Sequence, residues 1–244
     1  MKKAFFILAI IAFSFQSTHA QWWSGSKEIE GNGNMVTKTR TVSNYDQVAL
    51  LGSMDVELVA GKEGKIRVEA EENLQEYILT ETEGDRLKIS VKKGYNLDPS
   101  NNKPIRITVP FETLDGIYLT GSGDIFTSDE IKSENFEVRM TGSGDIRLVL
   151  AAKNTSAGIT GSGDISLRGT TQDFDCKVTG SGDISAFDFK AKRVDATVTG
   201  SGDIQVYASE EIKAVVPGSG DIEYKGNPKK EDFRTMGSGS VTKK

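Results

Sequence analysis

Thr120-Gly-Ser-Gly-Asp-Ile125 is repeated whole as Thr141–Ile146, Thr160–Ile165, Thr179–Ile184 and Thr199–Ile204. Pro217–Ile222 keeps Gly-Ser-Gly-Asp-Ile behind a proline, and Met236–Val241 reads Met-Gly-Ser-Gly-Ser-Val. From one first glycine to the next (121, 142, 161, 180, 200, 218, 237) the steps are 21, 19, 19, 20, 18 and 19 residues. A near-constant period of this size marks stacked repeats, each burying its apolar face only against its neighbours.

Alignment on the first glycine separates the residues by parity. Two before it stand Leu119, Met140, Ile159, Val178, Val198 and Val216; four before it stand Ile117, Val138, Ala157, Cys176, Ala196 and Ala214. Four after it come Ile125, Ile146, Ile165, Ile184, Ile204, Ile222 and Val241. Apolar columns are even and the Thr, Ser and Asp columns odd, the period of two of β-strands with one buried face. Both glycines share the inward parity. Either they face the core at a sharp bend or they adopt positive φ in a turn, and both readings make the motif a corner. Cys176 stands among alanines, as a small apolar filler rather than a nucleophile.

At ~3.3 Å per residue, one such unit describes a circuit of roughly 60 Å. A propeller blade needs about 40 to 45 residues, and the leucine-rich signature is absent. The fold class predicted is all-β: a single-stranded right-handed parallel β-helix with ~19-residue rungs, its coils about 4.8 Å apart.

Upstream, the spacing loosens. Leu51-Gly-Ser-Met-Asp-Val56 is a degenerate copy of the motif, with Met54 in place of the second glycine. Strand-like runs follow at Ile66–Val68, Tyr77–Leu79, Leu87–Val91 and Ile105–Val109. Glu71–Tyr77 suits a short helical turn, and Gly94–Pro104 reads as the one clear loop. These features predict wider, irregular coils over 45–113 and regular ones over 114–244, together one β-helix over 45–244. Residues 21–44 read as an arm and first strand, mobile from Gln21 to about Asn34. Trp22 and Trp23 either pack on the first rung or anchor at a sugar ring or lipid interface.

Residues 1–20 read as a cleavable signal peptide: Lys2 and Lys3, an apolar run Ala4–Phe15, then small residues around Thr18-His19-Ala20. Loss of that segment removes the only histidine, His19, and moves the formal net charge from −5 to −7. The expected product is exported, to the periplasm or cell surface. It has no further membrane-spanning stretch, no Cys after the cleavage point to carry a lipid, and no disulfide partner for Cys176. His-based nucleophile pairs and His-ligated metals are excluded. The acidic balance argues against nucleic acid or an anionic lipid surface as the main partner.

Taken together, the Gly-Ser-Met-Asp-Val segment, the Gly/Asn-rich loop and the serial Gly-Ser-Gly-Asp-Ile motifs resemble the putative auto-transporter adhesin, head GIN domain family, over roughly Tyr45 to Val241. The resemblance implies a right-handed parallel β-helix and brings no active site with it. The expected departure from a true auto-transporter is the lack of a C-terminal membrane barrel for self-transport.

Asp124, Asp145, Asp164, Asp183, Asp203 and Asp221 would form one ladder. Carboxylates 4.8 Å apart repel by ~1 kcal/mol per pair in water. Cations would offset this, with Ca²⁺ the ion suited to an oxygen row. So would turn chemistry, each Asp accepting hydrogen bonds from Gly and Ser amides of its own corner, and recurrence in every coil favours this second role. No cofactor is called for. The function expected is non-enzymatic, an adhesin or ligand-binding β-helix at the cell envelope meeting a glycan or surface protein. The alternative is a carbohydrate-active enzyme of the pectinase-like type, which would need a cleft walled by long loops. Open β-helix edges suit a homo-oligomer, and Lys243-Lys244 would deter it.

Overall fold

A computed structural model describes residues 25–244. The signal-peptide and Trp22-Trp23 readings lie outside the described residues. In chain order the irregular part contains β1 (Lys27–Glu30), β2 (Met35–Thr41), β3 (Gln47–Gly52), β4 (Asp55–Ala60) and β5 (Lys65–Glu71). A 3₁₀ turn, Gln75–Tyr77, precedes β6 (Ile78–Glu83), β7 (Arg86–Val91) and β8 (Tyr95–Asp98). After a second 3₁₀ turn, Ser100–Asn102, comes β9 (Arg106–Phe111). The regular part runs β10 (Gly116–Gly121), β11 (Ile125–Gly142), β12 (Asp145–Gly161), β13 (Asp164–Gly180), β14 (Ile184–Gly200) and β15 (Ile204–Val216). It ends with β16 (Ile222–Lys225), β17 (Lys230–Thr235) and β18 (Val241–Lys243).

The regular part is the parallel β-helix that the period predicts. Each coil pairs in parallel with the next, and Gly121, Gly142, Gly161, Gly180 and Gly200 lie directly over one another. The apolar columns are buried: Ile125, Ile146, Ile165, Ile184, Ile204 and Ile222 are all at 0% exposure. Full burial of such a side chain contributes about 1.5–3 kcal/mol, so one isoleucine column is a large share of the driving force. Cys176 sits between Ala157 and Ala196 in register, with burial first and then Asp175 and Asp195 pushing its thiol pKa well up. Gly169 interrupts the Leu150 column, and Phe189 follows it in register, edge-on to Phe174 with ring centroids 5.2 Å apart.

The irregular part departs from expectation. Gly52 stacks on Gly121 and Val56 on Ile125, so the degenerate motif is the first corner of the same stack. Between these corners the chain extends two branches of the one large sheet rather than wide coils. One face continues β10–β3–β7–β6, the other β11–β4–β9–β5–β2. β5 is antiparallel to β2 and to β9, and β6 is antiparallel to β7. The β6–β7 reversal follows from Gly84-Asp85, a two-residue hairpin turn with Gly84 at φ +66° between the paired Glu83 and Arg86. The Gly94–Pro104 stretch is not a plain loop: β8 lies within it and pairs in parallel with β1, which also orders residues 27–30 of the expected mobile arm. Strands four residues long whose partners lie far away in sequence leave too short a periodic signal to read.

Glu71 locks this end. Its buried carboxylate accepts hydrogen bonds from the Gly33 amide at 2.6 Å, from the Ser100 amide at 2.9 Å and from the Ser100 hydroxyl. Burial by itself raises its pKa, but the Ser100 and Gly33 donors and the nearby Lys103 outweigh it and hold the carboxyl below its ordinary value.

Candidate functional site

The corner is set by close approach of consecutive coils. First glycines from Gly52 to Gly200 have φ between +124° and +137°. The second glycines do not share that conformation, but a Cβ on Gly163 would lie 2.0 Å from the Gly144 carbonyl oxygen. A Cβ on the first glycine Gly161 would lie 2.2 Å from the Gly142 carbonyl oxygen. Both positions are glycine because the coil beneath leaves no room, and the positive φ of the first adds a second reason. The register beneath β3 ends at Leu51–Ser90, so no corner lies under Gly52 and Met54. There a methionine fits, and it is buried.

The Asp row links coils rather than closing single turns. The Asp145 amide donates to Asp124 Oδ1 and the Asp183 amide to Asp164 Oδ1, both at 3.0 Å. The Asp203 amide donates to Asp183 Oδ1 and the Asp221 amide to Asp203 Oδ1, both at 2.7 Å. Ser240 closes the series on Asp221 Oδ1 through its amide at 2.7 Å and its hydroxyl at 2.8 Å. The expected own-corner bonds are thereby corrected: the acceptor is one coil before its donor, because stacking aims each amide down the axis. Arg147 approaches two members of the row, Asp145 at 2.5 Å and Asp124 at 3.8 Å. Among the described residues, no group of three or more His, Cys, Asp or Glu side chains is placed to hold a metal ion. Asp55 begins the row below Asp124, a member visible in the degenerate motif but passed over. Burial first, then the charge of Asp124, raises its pKa.

A different surface offers ligand-sized space. Two outward columns, Asn135–Asn154–Asp173–Arg193–Glu211 and Glu137–Ser156–Asp175–Asp195–Lys213, run side by side along the axis. Between them lies a groove of about 460 Å³ from Gln47 and Tyr118 to Asp173 and Asp175, continued by a smaller depression of about 280 Å³ to Lys213. The walls are pre-positioned by one another. Asn154 Nδ2 donates to Asn135 Oδ1 at 2.7 Å, and Arg193 makes a fork on Asp173 at 2.5 and 2.6 Å. The Tyr118 hydroxyl donates to Glu137 Oε2 at 2.7 Å and Arg139 Nε to Glu137 Oε1 at 2.8 Å. The Tyr118 bond, ahead of Arg139 and Arg86, holds the Glu137 pKa down against burial, while burial and Glu137 push Tyr118 up to about 12. Glu137 is therefore an ionised acceptor, not a proton donor. Sequence reasoning missed these columns because they mix Asn, Asp, Glu, Ser, Arg and Lys, whereas the motif columns repeat a single residue.

A family model described as putative auto-transporter adhesin, head GIN domain, matches residues 44–228. The chain belongs to that family. Head GIN domain likeness extends to crystal structures. A putative adhesin from Bacteroides fragilis is 25% identical, with a TM-score of 0.84 over 88% of this chain and 100% of its own. A putative lipid binding protein from Parabacteroides distasonis is 32% identical, with a TM-score of 0.74 over 89% and 100%. A putative adhesin from Parabacteroides merdae, 22% identical with a TM-score of 0.71 over 89% and 99%, shares the fold. Among curated proteins none matches the chain. The family and the two more similar structures are thus named for adhesion or binding. Among the described residues no helix is long and apolar enough to cross a membrane.

Proposed function

We propose that this head GIN protein is an exported, non-enzymatic binding module of the cell envelope that grips a glycan along the axis-parallel groove. The observation that carries the reading is the double column of fixed amides and carboxylates beside Tyr118. Donors and acceptors repeating at about 4.8 Å, held by their own neighbours, meet successive sugar hydroxyls with little side-chain entropy lost on binding. A partly exposed tyrosine adds a surface for a sugar's apolar face. An acid–base mechanism finds no support in Glu137 or Asp173, each of which has both carboxylate oxygens occupied by donors. A second copy of the chain could add to β17, which pairs with β15 on one side and with no strand on the other among the described residues. The expected deterrents, Lys243 and Lys244, fold back onto Asn227 and Glu223 instead.

A glycan-array screen followed by titration tests the groove. Asp173→Ala releases Arg193 from its fork and is expected to weaken the best array hit about tenfold, with the melting temperature unchanged within about 2 °C because the pair is exposed. An array without hits, or a hit indifferent to Asp173→Ala, would sink the proposal.

A further inference from the structure

Below the first corner, the outward surface changes character. The column that reads Thr120, Thr141, Thr160, Thr179 and Thr199 starts at Leu51, and beneath Leu51 come Ser90 and then Leu79. Leu51 is 38% exposed, in a position where the following coils carry a hydroxyl. Both breaks in the first motif, Leu51 and Met54, line the same cleft of about 450 Å³. Its opposite wall is Tyr95 and Leu97 of β8 with Ile105. That wall is firm: Leu97 pairs with Ile29, and the Tyr95 ring packs on Tyr77 with centroids 4.7 Å apart.

In an acidic chain of formal net charge −5, the cleft carries one lysine, Lys93, that is in no ion pair among the described residues. Lys88 and Lys93 line it, with Glu81 the only acid on the lining. Lys92 stands 5.6 Å from the Tyr95 ring centroid, and Lys27 pairs with Tyr95 in register. Lys88 is bound to Glu83 at 3.1 Å.

We infer that this cleft binds the acyl chain of a single-chain anionic amphiphile, a fatty-acid carboxylate. The tail lies against Leu51, Leu79 and Leu97, and the carboxylate meets Lys93 at the rim. A volume of about 450 Å³ is within the range of small-ligand pockets, and the lining divides between apolar side chains (Leu51, Leu79, Leu97) and polar ones (Ser90, Lys93, Asn96). An apolar tail gains from leaving water, and the lysines select the sign of the head. The site shares no residue with the polar groove and stands independently of the glycan reading.

Calorimetric titration of the purified protein with laurate, and with dodecyltrimethylammonium as a cation with the same tail, tests it below the concentration at which either forms micelles. Laurate should saturate at one per chain and bind about tenfold more tightly than the cation. Leu51→Thr installs the residue that the column carries in the next coils, so it keeps the fold while weakening laurate about tenfold. Lys93→Glu should erase the preference for the anion. Asp173→Ala, in the other groove, should leave laurate binding unchanged. No saturable binding, equal binding of the two amphiphiles, or laurate affinity indifferent to Leu51→Thr would each overturn the inference.

Discussion

Between Gly121 and Gly200 each coil lies on an almost identical coil, and the chain has little freedom. Side chains pointing in are apolar, the inward corner positions are glycine, and those pointing out are mostly polar. Between Gly52 and Gly121, which are stacked just as directly, the chain leaves the helical path. It turns back on itself in antiparallel pairs and throws out β8 as a separate wall. The repeated part thus builds a rigid surface whose grooves run between its own columns, while the inserted part walls the cleft beside Leu51 with β8 and is held by specific locks such as Glu71. Repetition spreads stability over equivalent contacts, and insertion concentrates it in a few.

The largest test of that contrast is a single methyl group. Gly163→Ala places a Cβ 2.0 Å from the Gly144 carbonyl oxygen within stacked backbone, which has no flexible end to move. We expect a loss of about 3 kcal/mol or more, or failure to fold, in urea unfolding. Gly61→Ala, in the irregular part, meets nothing nearer than Pro110 Cβ at 3.9 Å and should stay within about 0.5 kcal/mol of the parent. Equal costs at the two positions would remove the distinction drawn between the regions.

Next in size is the lock of the irregular part. Glu71→Ala strands the Gly33 and Ser100 donors and should cost about 2–3 kcal/mol, with proteolysis beginning near residues 31–34 and 100. The native carboxyl is held below its ordinary value of 4.5, so its contribution is complete above about 4.5 and disappears as pH falls through the lower folded value. Glu71→Gln should therefore flatten that part of the acid limb of the stability profile. An unchanged acid limb would show that other groups carry it.

The smallest effect belongs to the Asp row. Asp164→Ala removes one acceptor from the Asp183 amide and should cost about 1 kcal/mol, softened by solvent at this exposed position. Calorimetry is expected to show no Ca²⁺ uptake by the parent that this variant loses. Stoichiometric uptake abolished by Asp164→Ala would turn the row from a structural tie into a cation site.

The amino-acid sequence by itself determined the period, the inward columns, the corner and even the first, degenerate corner at Gly52, because all of these are local. Two-residue alternation and a glycine pair demanded by an identical neighbour are written anew in every coil. Tertiary structure alone decided where residues 53–115 go, since the pairings of β5 with β2 and β9, and of β1 with β8, join segments distant in sequence with no shared pattern. It also decided the direction of the Asp hydrogen bonds, which depends on the axial offset between coils rather than on any one turn. The polar groove and the Leu51 cleft were invisible for the same reason. Their walls come from different coils and strands, and only stacking and the placement of β8 bring those residues face to face.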